Sequence, residues 1–155
     1  MENYCLDQVD YSILKLLQTD ARITYDQMAR RLHRSKSPLF ERVKRLEQMG
    51  YIQSYVTLID YSKLRDCLMS FINIRLTDHS ISALRRFSEA AAALEEVMEC
   101  SHLTGGSDFL LKVVTRNMEH YNEFLFHKLG ELDNIASFNS SMVMGQSKSS
   151  PVIPF

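Results

Sequence analysis

Residues 24–50, TYDQMARRLHRSKSPLFERVKRLEQMG, hold the pattern that decides the fold of the first third of the chain. Thr24 followed three residues later by Gln27 forms a capping box, and Ile23 can staple onto Met28. The spacing therefore predicts a helix that starts at Thr24, turns Met28, Ala29 and Leu32 inward, and stops near His33. After a tight polar turn, Ser35 or Ser37 can cap a second helix. Pro38 is acceptable in its first turn, where backbone donors have no intrahelical partner, and Gly50 ends it as a C-cap residue. Two short helices joined in this way, the second studded with Arg and Lys, have the layout of a helix-turn-helix, which places its second helix in the major groove of DNA.

A helical wheel separates the two faces of that second helix. Leu39, Phe40, Val43 and Leu46 fall together and are expected to bury, while Ser37, Pro38, Glu41, Arg45 and Gln48 centre on the opposite face, flanked by Arg42 and Lys44. Recognition helices usually enter a groove N-terminus first. Lys36, Ser37, Pro38 and Glu41 are thus the candidates nearest base edges, and Ser35, at the helix entry, is a further DNA-contact candidate. The long cations Arg30, Arg31, Arg34, Arg42, Lys44 and Arg45 are the candidates for gripping phosphates. A basic amphipathic helix in isolation is as readily a solvated face; the helix-turn-helix register in front of it is what favours DNA.

Upstream, Leu6, Val9, Ile13, Leu14 and Leu17 recur at helical spacing behind Asp7 and Asp10, predicting a helix over 7–18. Downstream, YIQSYVTLID (51–60) is rich in β-branched and aromatic residues and reads as a strand, and the polar YSKLRDC after it marks a boundary. The expected domains are 1–60, helix-turn-helix with a linking strand, and 61–155, sensing and assembly. Within the second, the pattern predicts strands at 68–76, 97–104, 109–115 and 135–144, and helices at 81–93 and 118–129. That order, βαββαβ, is a ferredoxin-like sandwich, so the chain is of α+β class. The tail GQSKSSPVIPF reads as a weakly ordered arm or a small packing extension.

Composition bounds the function. At 155 residues and 45% hydrophobic, the chain can bury a core in one domain or two small ones. The net charge of −1 excludes a uniformly basic coat, yet the window 21–50 is basic and the rest acidic. Cys5, Cys67 and Cys100 are odd in number and scattered, which fits a reducing cytoplasm better than a disulfide framework. The start MENYCLDQVD lacks the basic and apolar regions of a signal peptide, and no stretch approaches a membrane span. Cys100 and His102 share a strand face and His120 and His127 a helix face, without the paired close ligands of a structural zinc site, so neither a metal nor a cofactor is expected. There is no phosphate-cradling glycine loop and no nucleophile with an identifiable base, which makes an enzyme the weaker class.

Taken together, LDQVDYSILKLLQTDARIT, MARRLHRSKSPLFERVKRLEQMGYIQSY and ECSHLTGGSDFLLKV resemble the Lrp/AsnC family of prokaryotic transcription regulators, over about Leu6 to Met144. The motifs that carry the resemblance are an opening LDxxDxxIL, a helix ending RxxRLExxGxI and a glycine-Asp turn, in the family's order. The resemblance implies an N-terminal winged helix-turn-helix that binds double-stranded DNA, a C-terminal domain that senses an amino acid or related metabolite, and a homodimer formed through the C-terminal sheets that often closes into an octameric ring. It also implies an effector site at an interface between dimers, using the turn Gly105, Gly106, Ser107 and Asp108 with Leu103 and Thr104 leading in, approached by Met118, Ser141, Met142 and Val143. Gly106 stands where the family often has its first acid. Chemically, the glycines expose backbone donors suited to a carboxylate and Asp108 suits an ammonium group; alternatively, Gly-Gly only makes a hairpin turn that Asp108 caps. The rival reading is a metabolite-binding ferredoxin-like sensor or enzyme whose helical domain mediates assembly.

Overall fold

Asp7 opens the first helix, α1 (Gln8–Thr19), by accepting the backbone N–H groups of Val9 at 2.8 Å and Asp10 at 2.9 Å, while the Asp10 carboxylate accepts from the Asp7 N–H at 3.1 Å. This reciprocal box satisfies donors that a helix start otherwise leaves orphaned. Thr24 and Gln27 do the same for α2 (Tyr25–Leu32), with bonds of 2.9 and 3.2 Å. His33, at φ 52°, then turns the chain towards α3 (Lys36–Gln48). Gly50, at φ 77°, lets the Tyr51 N–H reach back to the Leu46 carbonyl at 2.9 Å, which closes α3. The computed structural model describes residues 4–155.

Ile13, Ile23, Met28, Leu39, Val43 and Leu46 form the core of this three-helix unit. Phe40, expected inside, remains 45% exposed, with its ring edge-on to Tyr25 at a centroid distance of 5.3 Å. The reason is geometric: Leu39, Val43 and Leu46, at i, i+4 and i+7, already fill the inward stripe, and Phe40 lies a further 100° round the helix.

The strand expected at 51–60 does not form, and Tyr55, Val56, Leu58 and Ile59 are exposed. A strand requires a ladder partner for its backbone groups, and among the described residues none pairs with this segment. Its composition favours the extended backbone without supplying the partner.

The second unit spans Ile59–Ser147. It runs β1 (Leu68–Leu76), α4 (Ile81–Ala92), β2 (Val97–His102), β3 (Phe109–Thr115), α5 (Met118–His127) and β4 (Ile135–Met142). The sheet order is β2-β3-β1-β4, and every pairing is antiparallel. One face carries Ile72, Ile74 and Leu76 of β1 and Phe109, Leu111 and Val113 of β3, packed with Phe87 and Ala91 of α4 and Tyr121 and Phe124 of α5. This is the expected βαββαβ sandwich, with β2, α5 and β4 each stopping two residues short of the sequence-based bounds. Leu84 is only partly buried and Ala83 takes the inward position beside Phe87. The first unit takes in the chain through Leu58 and also Lys148–Phe155, so the final eight residues pack with the helices instead of with the sheet to which they are joined.

Candidate DNA-binding surface and ligand-binding turn

The outward face of α3 is open. Ser35, Lys36, Ser37, Pro38, Glu41 and Lys44 are exposed, as are Arg30 and Arg31 at the end of α2 and Arg34 in the turn that follows it. Ser35 sits at the N-cap position, yet its side chain makes no capping hydrogen bond, so its hydroxyl and the first-turn amides are not tied to each other. Lys36 Nζ rests 3.0 Å from Asp26 Oδ2, an exposed pair that contributes little and gives way readily to a stronger anion. Two shallow depressions line this surface. One is walled by Ala29, Arg30, His33, Arg34 and Ser35, the other by Pro38, Glu41, Arg42, Lys44, Arg45 and Gln48.

Arg42 is the exception among the candidate cations. Its Nη1 lies 2.7 Å from Asp7 Oδ2 and 2.8 Å from Asp10 Oδ1, and Asp10 is fully buried. The Tyr4 hydroxyl donates to the same Asp10 carboxylate. The bond from the Asp10 backbone, followed by the one from Arg42, holds the Asp7 carboxyl below the usual carboxylate range. Arg42, expected beside the outer face as a phosphate grip, instead points towards α1 and fastens α3 to it. A sequence signal existed: Asp10 stands on the same stripe as Leu6 and Ile13, and an acid on an apolar stripe needs a buried partner. Arg45 is half-buried, with its guanidinium 4.3 Å from the centre of the Tyr4 ring. At the far end of α3, the largely exposed Tyr55 donates to Glu47 Oε1 at 2.8 Å, and partial desolvation of its hydroxyl together with this carboxylate raises the phenol's pKa.

In the sheet unit, the turn Leu103–Asp108 is drawn tight by the Leu103 N–H on the Asp108 carbonyl at 2.8 Å, and Gly105 has φ 120°, a conformation that favours glycine. Asp108, expected to pair with an ammonium group, already holds two partners within the chain. Its Oδ2 accepts from the Leu76 N–H at 2.7 Å, and His79 Nε2 lies 3.1 Å from the carboxylate. The Leu76 bond, chiefly, holds its pKa below the usual range. Thr104, Gly105 and Gly106 are exposed, and Ser107 is half-buried.

The other candidate ligand residues lie elsewhere on the sheet. Phe109, just after the turn, pairs with Ile74, whereas Met142 pairs with Ser70, four residues back along β1 and about 13 Å away at strand rise. Ser141 pairs with Phe71 beside it, Val143 donates to the Met69 carbonyl at 2.9 Å, and Met118 follows Thr115, the partner of Leu68. Within one chain, the turn and the group Met118, Ser141, Met142 and Val143 therefore occupy opposite ends of the sheet. His102 stacks on Phe109 at a centroid distance of 4.9 Å, and burial raises the Cys100 thiol's pKa. Among the described residues, no three His, Cys, Asp or Glu side chains are gathered to hold a metal, and no helix is long and apolar enough to cross a membrane.

Comparison with known proteins agrees with both halves. Residues 6–53 match the winged helix-turn-helix DNA-binding model, and residues 69–153 the Lrp/AsnC ligand binding domain. The chain is 34% identical over 145 residues to the leucine-responsive regulatory protein of Escherichia coli, covering 94% of this chain and 88% of that one. It is 31% identical over 139 residues to the Bkd operon transcriptional regulator of Pseudomonas aeruginosa, covering 90% and 91%. The fold matches a transcriptional regulator from Neisseria meningitidis solved as an L-Met complex, with a TM-score of 0.86 at 28% identity over 97% of each chain. An AsnC family transcriptional regulator from Agrobacterium tumefaciens also matches with a TM-score of 0.86, at 31% identity over 96% and 97%. An exposed basic recognition helix, a βαββαβ ligand-binding domain and these relatives converge: the chain belongs to the Lrp/AsnC family and is a DNA-binding transcriptional regulator.

Proposed function

We propose that α3 reads an operator in the major groove, with Lys36, Ser37, Pro38 and Glu41 nearest the bases. Arg30, Arg31, Arg34, Ser35, Lys44 and Arg45 contact the flanking phosphates. The observation that carries this assignment is the open first turn of α3, whose N-cap hydroxyl is unused and whose neighbours form two cation-lined depressions. Helix N-termini and arginines are the groups that hold DNA phosphates in register. Arg42 has a different role: it positions α3 on α1 through Asp7 and Asp10.

The protein acts on cytoplasmic DNA as a dimer, whose two recognition helices meet half-sites about one helical turn apart or a multiple of it. Its effector is a small amino acid or related metabolite bound at the turn Leu103–Asp108. Because the turn and the group Met118, Ser141, Met142 and Val143 are at opposite ends of one sheet, a pocket that uses both is completed only by a second copy. Thr104, Gly105, Gly106 and Ser107 supply polar contacts from one copy; the other four residues supply the wall from its neighbour. Assembly to an octamer would repeat this junction around a ring. The role is regulatory, not catalytic.

Binding of genomic fragments with and without each amino acid tests the reading. A regulator of this kind selects a few fragments, and one amino acid shifts the affinity or the assembly state. Turnover of a bound metabolite without selective DNA binding would support the rival sensor or enzyme.

A further inference from the structure

Tyr11, Lys15 and Gln18 stand at i, i+4 and i+7 on α1, a single stripe that the three-helix core does not use. Segment 151–155 lies along it. The Gln18 side chain bonds both backbone groups of one residue: its Oε1 accepts the Ile153 N–H at 2.7 Å and its Nε2 faces the Ile153 carbonyl at 3.4 Å. The Phe155 ring meets Tyr11 edge-on at 5.7 Å between centroids, with Lys15 Nζ 5.9 Å from the centre of the same ring. Pro154 restricts Ile153, the residue before it, to an extended backbone, and Pro151 and Pro154 fix their own φ, which lowers the conformational entropy lost when the segment is ordered.

We propose that this stripe is a docking site for segment 151–155, and that the docked segment straps the DNA-binding unit to the end of β4. The chain leaves the sheet unit after Ser147 and joins the helical unit from Lys148. The helical unit is then tethered twice, through the segment that follows α3 and again through the strap. A unit held at two points samples fewer orientations than one held at a single point, so less freedom remains to be lost when two recognition helices engage one operator. The strap therefore favours the two-half-site complex and provides a second route by which events at β4 reach α3.

The DNA effect rests on the proposed operator binding, whereas docking does not, and amide exchange in the full chain reads docking alone. The Ile153 amide is expected to be protected in the wild type and to exchange faster in Gln18→Ala and in Phe155→Ala, with the α1–α3 core amides unchanged. Fast exchange in the wild type, or protection that Gln18→Ala leaves intact, would overturn the docking. Mixing isotope-labelled wild type with excess unlabelled Gln18→Ala identifies the acceptor: protection persists if the strap docks on its own chain and falls if it reaches a second copy, which would overturn the strap. In the operator arm, both variants are expected to lose several-fold affinity for a two-half-site operator and little for a single half-site. Wild-type affinity for both would refute the coupling; if no variant binds DNA, the operator reading fails and the exchange result still decides the docking.

Discussion

Replacing Asp10 with Asn probes the join between α1 and α3 with almost no change in volume. One carboxylate oxygen takes the Asp7 N–H at 3.1 Å and the Tyr4 hydroxyl, and the other takes Arg42 Nη1 at 2.8 Å. An amide can accept on one side only. Its NH2 must face either the guanidinium or the Asp7 N–H, donor against donor, in a site with no solvent exposure. Losing a charge-assisted bond and stranding a buried donor costs about 1–3 kcal/mol each, and removing one partner of a buried ion pair about 3–5 kcal/mol. Arg42 retains Asp7 and is itself partly exposed, which places the expected loss at the lower end, about 2–4 kcal/mol. For a unit of this size, that lowers the melting point by about 10 °C or more, read by circular dichroism as early loss of helical signal. Arg42→Met in the same background should cost less than the sum of the two single changes, because the first has already broken the contact. A melting point within about 2 °C of wild type would refute the claim that this buried pair holds the recognition helix.

Lys44→Ala should leave stability unchanged and reduce the salt slope of operator binding by about one. Arg42→Ala should do the reverse, lowering the melting point while the slope of the remaining folded protein stays at the wild-type value. Ser37→Ala should change which operator sequence is preferred in a selection from random DNA, with affinity for nonspecific DNA unaltered. Gly105→Ala forces a side chain into a φ of 120° and should destabilise the sheet unit by about 1–3 kcal/mol, seen in denaturant unfolding. Asp7 and Asp108 both have lowered pKa values, so the stability they add is complete above about pH 4 and falls away as acid protonates them. An acid titration should show Asp108→Asn with a shallower loss of stability than wild type below that pH.

Much of the architecture was readable because its causes are local. The Thr24–Gln27 box, the Gly50 stop and the alternation through Ile72, Ile74 and Leu76 each depend on residues a few positions apart. What escaped depends on partners distant in sequence. Segment 51–60 has the composition of a strand, but composition supplies no ladder partner. Arg42 looks like a neighbour of the outer face until Asp7 and Asp10, more than thirty residues away, draw it inward. The Gln18–Ile153 contact spans almost the whole chain, and nothing in SSPVIPF indicates which surface receives it. The turn Leu103–Asp108 was recognisable through its glycines and family pattern, but that Asp108 serves Leu76 and His79 follows only from the register of β1 against β3.

The central claim, that α3 selects an operator, is tested most directly by titrating the 155-residue chain against a genomic fragment library across a salt series. The account predicts a few enriched fragments that carry paired half-sites, with affinity falling steeply as salt rises. Uniform binding of all fragments, or none above background at low salt, would contradict it.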